Sequence, residues 1–236
     1  MRSEKEVSIV TGASRGIGRA IAVSLAKQNH NVIVFGRDVN ALEEVCSELK
    51  QLGSDSIYFS GDVADQQFVF SSFEKILLKY ERVDHLINNA GIGIFKKFID
   101  SSLEEFKNQV DVNLFGVYNF TKAVAGEMIK NKKGTIINIA SLAGKNSFIG
   151  GTMYSSTKHA LLGFTRSLML ELREFNIKVA SICPGSVDTE FSSSGRLVPH
   201  KKNILLPEDV AEAVMLIINS PQRAMFSEID IRPTNP

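Results

Sequence analysis

The chain has 236 residues, 22% of them charged, and a formal net charge of +1, so it can form one α/β domain with a sizeable core and lacks the charge excess that suits a nucleic-acid partner. Two cysteines, Cys46 and Cys183, exclude a disulfide framework and suit a reducing, cytoplasmic setting. No apolar run approaches the roughly 20 residues of a membrane span, and residues 1–6 hold no hydrophobic signal core, so no membrane role is expected.

An apolar run, Val7 to Val10, reads as the first strand. Next comes Thr11-Gly12-Ala13-Ser14-Arg15-Gly16-Ile17-Gly18, which opens a helical pattern with Ile17, Ile21 and Leu25 four residues apart. Asn31–Phe35 is a buried strand, and Ala41–Leu52 a helix capped from Asp38 or Asn40 and stopped at Gly53. Ser56–Ser60 is a third strand. Asp65 caps a helix whose face is Val69, Phe73, Ile76 and Tyr80. Asp84–Asn88 and Thr135–Ile139 are strands, separated by a long helical stretch from about Leu103 to Ile129 that bends near Val112–Asn113. A helix from about Met153 to Glu174 leads to a strand at Lys178–Cys183. Pro207 starts a helix with Glu208 and Asp209 at its positive end, and Ser227–Ile231 is the last strand. Two helices, Leu114–Ile129 and the one from Met153, are apolar over more than one stripe. Contact with a second subunit, as a dimer or tetramer, or deeper burial within one subunit accounts for that.

Strands alternating with helices imply a parallel sheet covered on both faces, doubly wound by right-handed crossovers, with ligands at the carboxyl ends of the strands. There the turn Gly12–Gly18 suits a phosphate. A helix N-terminus presents unpaired N–H groups to an anion, and glycines let the backbone approach a pyrophosphate. After the second strand the chain reads Phe35-Gly36-Arg37, without the acid that would grip an NAD ribose. Arg15 and Arg37 converging on a 2′-phosphate favour NADP(H), while Asp38 keeps NAD(H) open. In Tyr154-Ser155-Ser156-Thr157-Lys158, positions i and i+4 place Tyr154 beside Lys158 on one helical face. The ammonium is expected to lower the phenol's pKa from about 10. Ser141, thirteen residues before Tyr154, ends the fifth strand and brings a hydroxyl to the same crevice. His30, His85, His159 and His200 form no spaced pair, so no metal site is expected.

The glycine spacing, Asn88-Asn89-Ala90-Gly91 and the set Asn113, Ser141, Tyr154 and Lys158 resemble the short-chain dehydrogenase/reductase family over essentially the whole chain. The resemblance is to its 3-oxoacyl-(acyl-carrier-protein) reductase-like branch. It implies an α/β fold: a single Rossmann-type, doubly wound domain over 1–236, with about seven mostly parallel strands in the order 3-2-1-4-5-6-7 and helices on both faces. It implies hydride transfer between nicotinamide and a carbonyl or secondary alcohol. In that scheme Tyr154 gives or takes the proton and Ser141 donates a hydrogen bond to the carbonyl oxygen. Lys158 supports the tyrosine and the nicotinamide ribose, and Asn113 the proton relay. It implies cofactor contacts from Gly12, Ser14, Arg15, Gly16, Ile17, Gly18 and Arg37, from Asp62 and Val63 at the adenine, and from Asn89, Ala90 and Gly91. Pro184, Gly185, Val187 and Thr189 close over the nicotinamide.

Substrate residues are expected from the loops Gly93–Phe98 and Leu142–Gly151 and the segment Glu190–Leu206. These offer Ile94, Phe95, Leu142, Phe148, Phe191 and Leu197, with Ile94, Leu142, Phe148 and Phe191 as the substrate candidates of a partly apolar pocket. Arg196, His200, Lys201 and Lys202 form either a solvated loop or a basic mouth for an acyl-thioester carried by a carrier protein or coenzyme A. The ending Ser227-Glu228-Ile229-Asp230-Ile231-Arg232-Pro233 departs from that branch's V-N-G-G tail, so a generic ketone or hydroxy-acid reductase fits equally. NAD-dependent alcohol or sugar dehydrogenases, and a non-catalytic NADP(H) sensor, are the alternatives.

Overall fold

The computed structural model describes residues 5–193 and 204–234. Seven strands form its sheet: β1 Val7–Thr11, β2 Asn31–Gly36, β3 Ile57–Ser60, β4 His85–Asn88, β5 Gly134–Ile139, β6 Ile177–Pro184 and β7 Glu228–Ile231. Their order is β3-β2-β1-β4-β5-β6-β7, and every pairing is parallel. That is the order the family resemblance implies. β1, β2, β4, β5 and β6 are buried throughout, as continuous apolar runs in a doubly covered sheet must be.

Successive side chains of a strand serve opposite faces. Val10, Val32 and Val34 meet α1 Gly16–Lys27, α2 Val39–Gln51 and α8 Pro207–Asn219, where Leu25, Leu42 and Val214 are fully buried. Ile9, Ile33 and Phe35 meet α3 Gln66–Tyr80, α5 Gly116–Asn131 and the end of α6 Thr152–Leu172, through Ile76, Val124 and Leu172. Asp38 rather than Asn40 caps α2, its carboxylate accepting from the Ala41 N–H at 3.2 Å, and Asp65 caps α3 through the Phe68 N–H at 3.1 Å. The expected bend before α5 is a π-helical segment, Asp111–Phe115, following α4 Leu103–Val110. Its wider turn is what breaks the long helix at Asn113. A short helix, α7 Glu190–Ser193, follows β6. No helix among the described residues is long and apolar enough to cross a membrane.

At the amino ends of the strands Glu6, His30 and His85 come together, one nitrogen or oxygen atom of each lying within 4.8 Å of the others, a grouping that sequence spacing did not reveal. His85 Nε2 lies 3.0 Å from Glu6 Oε2, Lys133 donates to Glu6 Oε1 at 2.8 Å, and His30 Nδ1 lies 2.9 Å from Ser8 Oγ. The His85 hydrogen bond, helped by Lys133, holds the Glu6 carboxyl well below the usual carboxylate range against its partial burial. Burial, with the charge of His85, pushes His30 down to about 4 from 6.5. The unfolded chain therefore takes up a proton below about pH 6.5 that the folded ring resists until about pH 4, so stability falls across that window as pH is lowered. At about 1.4 kcal/mol per pH unit, the loss is on the order of 3 kcal/mol. Urea midpoints measured from pH 7 to 4.5 are expected to fall steeply in the natural chain and less steeply in His30→Gln. Parallel pH profiles for the two chains contradict this account.

Candidate active site

A crevice of about 1270 Å³ runs along the carboxyl ends of the strands. At one end is the turn between β1 and α1. Gly12 and Gly16 hold φ of +63° and +54° there, a left-handed backbone that glycine adopts without penalty. Gly18 is buried beneath the turn, where a Cβ would lie 2.2 Å from the Gly12 carbonyl oxygen. The N-terminus of α1 carries neither a side-chain cap nor an acid in its first turn. Its amides are thus open to an anion, and a dinucleotide pyrophosphate fits. Asn89 fixes the turn from β4, its Nδ2 donating to the Thr11 and Gly12 carbonyls at 3.0 Å each.

Ser14, Ile17, Asp62, Val63, Ala90 and Gly91 join the glycines in the crevice wall. Pro184, Gly185, Val187 and Thr189 form its far side. Arg37 lines the wall at the end of β2, whereas the neighbouring Asp38 carboxylate is spent on the α2 cap. Arg15 also lines the crevice but does not stand free for Arg37's partner role: its Nη1 is 2.5 Å from Glu190 Oε2. Both side chains are about seven-tenths exposed, and an exposed pair of this kind is readily exchanged for another anion.

At the other end, Ser141 follows β5 and Tyr154 and Lys158 stand one turn apart on α6, all in the wall. Ser141 Oγ accepts from the Ala143 N–H at 3.1 Å. Tyr154 and Lys158 are only 8% and 4% exposed. Lys158 Nζ donates to the Ile139 carbonyl at 3.0 Å and sits 5.8 Å from the centre of the Tyr154 ring. The expected lowering of the tyrosine's pKa is not found. Burial pushes Tyr154 up to about 12, against a hydrogen bond with Ser141 that lowers it, and burial brings Lys158 down to about 8. Desolvation of the charged form outweighs what Ser141 does for Tyr154 and what Cys183 does for Lys158.

Asn113 is outside the wall and wholly buried. Its amide donates to the Ile92 carbonyl at 2.9 Å and to Thr157 Oγ1 at 3.1 Å, and its Oδ1 accepts from the Ile92 N–H at 2.8 Å. It ties the loop after β4 to α6 one residue from Lys158. Leu142, Phe148 and Phe191 line the crevice as expected of substrate candidates, but Ile94 does not. Its backbone N–H is held by Gln109 Oε1 at 3.1 Å, and its neighbours Gly93 and Phe95 face the space instead. Phe95, one of the apolar residues offered by the Gly93–Phe98 loop, is in the wall, and Glu190 and Arg232 are wall residues beyond the expected site set. Arg196, Leu197, His200, Lys201 and Lys202 lie outside the described residues.

The family model described as short chain dehydrogenase matches residues 6–197. An uncharacterized oxidoreductase of Staphylococcus saprophyticus is 34% identical over 98% of this chain and 98% of its own length. The 3-oxoacyl-(acyl-carrier-protein) reductase of Synechocystis sp. is 35% identical over 94% of this chain and 92% of its own. Among solved structures, an alcohol dehydrogenase of the archaeon Thermococcus sibiricus, complexed with 5-hydroxy-NADP, superposes with a TM-score of 0.91. It is 32% identical and covers 99% of this chain and 98% of its own.

Proposed function

Since the chain belongs to the short-chain dehydrogenase family and so to the oxidoreductases, we propose that it is an NADP(H)-dependent carbonyl reductase, exchanging hydride between nicotinamide and a ketone or secondary alcohol. One observation carries the reading: Ser141, Tyr154 and Lys158 stand together in the wall of the open crevice, the last two one helical turn apart. The nicotinamide, when bound, supplies the hydride. Tyr154 then delivers its hydroxyl proton to the carbonyl oxygen, and Ser141 donates a hydrogen bond to the same atom as negative charge develops there. Burial favours the neutral, proton-bearing form of the Tyr154 phenol, the form that donates to a carbonyl oxygen. Asn113 positions Lys158 through Thr157, while Asn89, Ala90 and Gly91 hold the cofactor against the turn at Gly12–Gly18.

Arg37 in the crevice wall, with Asp38 occupied by the helix cap, supports a 2′-phosphate over a free ribose. Arg15 joins it by leaving Glu190. Arg37→Asp is expected to lower kcat/KM for NADPH by roughly tenfold to a hundredfold and to raise that for NADH, since a charge-assisted phosphate contact becomes a like-charge one. Unchanged cofactor preference takes Arg37 out of the phosphate site. The reaction itself is tested by following the NADPH absorbance band with ketones, 3-oxoacyl thioesters and sugars. Turnover of at least one ketone supports the reading, and consumption with none of them removes it.

Retention of Tyr154 beside Lys158 favours an enzyme over a cofactor sensor. Phe115 at the end of the π-helical segment, Tyr118 on α5 and Leu170 on α6 are each about half exposed, which supports pairing of two copies there. Two free, buried cysteines fit a cytoplasmic setting.

A further inference from the structure

Resting on that reaction, we propose that Phe95, Phe148 and Phe191 form an aromatic subsite around Tyr154 that selects carbonyl substrates bearing an aryl group next to the C=O. The three rings come from separate parts of the chain: the loop after β4, the loop before α6, and α7. Phe95 is their hub. Its ring centre lies 5.3 Å from that of Tyr154 at 75°, 5.9 Å from Phe148 at 53°, and 6.1 Å from Phe191 at 85°. Phe191 in turn lies 5.9 Å from Tyr154 at 50°. These are the separations and the edge-on or tilted angles at which aromatic quadrupoles attract.

Two glycines admit the rings. A Cβ on Gly93 would stand 2.6 Å from Phe95 Cζ and 2.7 Å from Phe191 Cζ, and one on Gly151 would stand 2.6 Å from the Phe148 ring. The atoms met are the far ends of side chains rather than backbone. A methyl at position 93 therefore turns the rings aside and leaves the fold standing.

A substrate whose carbonyl oxygen reaches Ser141 and the Tyr154 hydroxyl places its substituent beside these rings. A flat aryl group meets their faces and edges and gains the quadrupole contact in addition to apolar burial. A saturated ring of the same skeleton gains burial alone. A sugar or hydroxy acid brings hydroxyls that the rings cannot hydrogen-bond, and desolvating them costs affinity. The subsite thus narrows the substrate to aryl ketones and disfavours polyols.

The test compares kcat/KM with NADPH for 1-phenylethanone, 1-cyclohexylethanone and dihydroxyacetone in the natural chain, Phe95→Leu and Gly93→Ala. The natural chain is expected to favour the phenyl over the cyclohexyl ketone severalfold, with dihydroxyacetone last. Phe95→Leu lowers the phenyl-ketone value by about tenfold, the upper end for one aromatic pair, and the cyclohexyl value by less than about threefold. Gly93→Ala shifts the ratio the same way at a nearly unchanged melting temperature. Equal use of the two ring ketones by the natural chain, or an equal loss on both in Phe95→Leu, overturns the proposal. If no ketone is turned over, it is the reaction that fails, and saturation-transfer NMR of the phenyl ketone on the NADP-loaded chain decides the subsite. A signal lost in Phe95→Leu upholds it, and a signal absent from the natural chain, or unchanged in Phe95→Leu, overturns it.

Discussion

Tyr154→Phe is expected to lower kcat/KM for ketone reduction by on the order of a thousandfold, within the range that a positioned general acid contributes. The substitution removes one oxygen and leaves the ring in contact with Phe95 and Phe191, so the site keeps its shape. The loss therefore falls on proton delivery rather than on binding, and NADPH affinity, read from the quenching or enhancement of its fluorescence, should change by less than about threefold. Ser141 alone remains on the carbonyl oxygen, with no proton to hand over from the phenol. Turnover undiminished in this variant assigns the proton to another group.

The second large effect is at Gly18. A Cβ there would lie 2.2 Å from the Gly12 oxygen, 2.8 Å from the Gly12 carbonyl carbon and 2.6 Å from Asn89 Nδ2. The first two are backbone, and Asn89 is itself fixed by the Thr11 and Gly12 carbonyls. Relief comes only if α1 slides away from β1, which takes its N-terminal amides away from the pyrophosphate. Gly18→Ala is expected to weaken NADPH binding by about a hundredfold or more. Overpacking of this kind also costs roughly 1–3 kcal/mol of stability, read as a lower urea midpoint. A variant that binds NADPH as the natural chain does removes the close approach as the reason for glycine.

What the sequence made legible follows from how local each feature is. Continuous apolar strands and interleaved amphipathic helices are written within single elements, so the parallel sheet was legible in the sequence, while its strand order came from the family resemblance. Tyr154 and Lys158 are related by one helical turn, and the bend at Asn113 by residues that sit together in the chain. Features that depend on two distant segments were hidden. Arg15 and Glu190 are 175 residues apart, so nothing in the glycine turn announces the ion pair across the crevice. Glu6 and His30 immediately precede β1 and β2, His85 begins β4, and the three meet because parallel register brings those strands level. Ile94 and Phe95 are both apolar, and which of them faces the crevice depends on the path of the loop, tied at the Ile94 N–H by Gln109 on the distant helix α4. The tyrosine's acidity depends on distant segments in the same way. Proximity of an ammonium is visible in sequence, whereas the burial that pushes the phenol up comes with packing against distant segments, the loop that supplies Phe95 among them.

The central claim, hydride delivery from NADPH to a carbonyl carbon, is tested most directly by label transfer. The chain is incubated with NADPH deuterated at nicotinamide C4 and with 1-phenylethanone, and the alcohol formed is analysed by mass spectrometry. The account predicts one deuterium, on the carbinol carbon, delivered from one face of the nicotinamide so that only one of the two C4-labelled epimers transfers it. Alcohol formed without label from either epimer, or no alcohol from this or any other ketone in the panel, contradicts it.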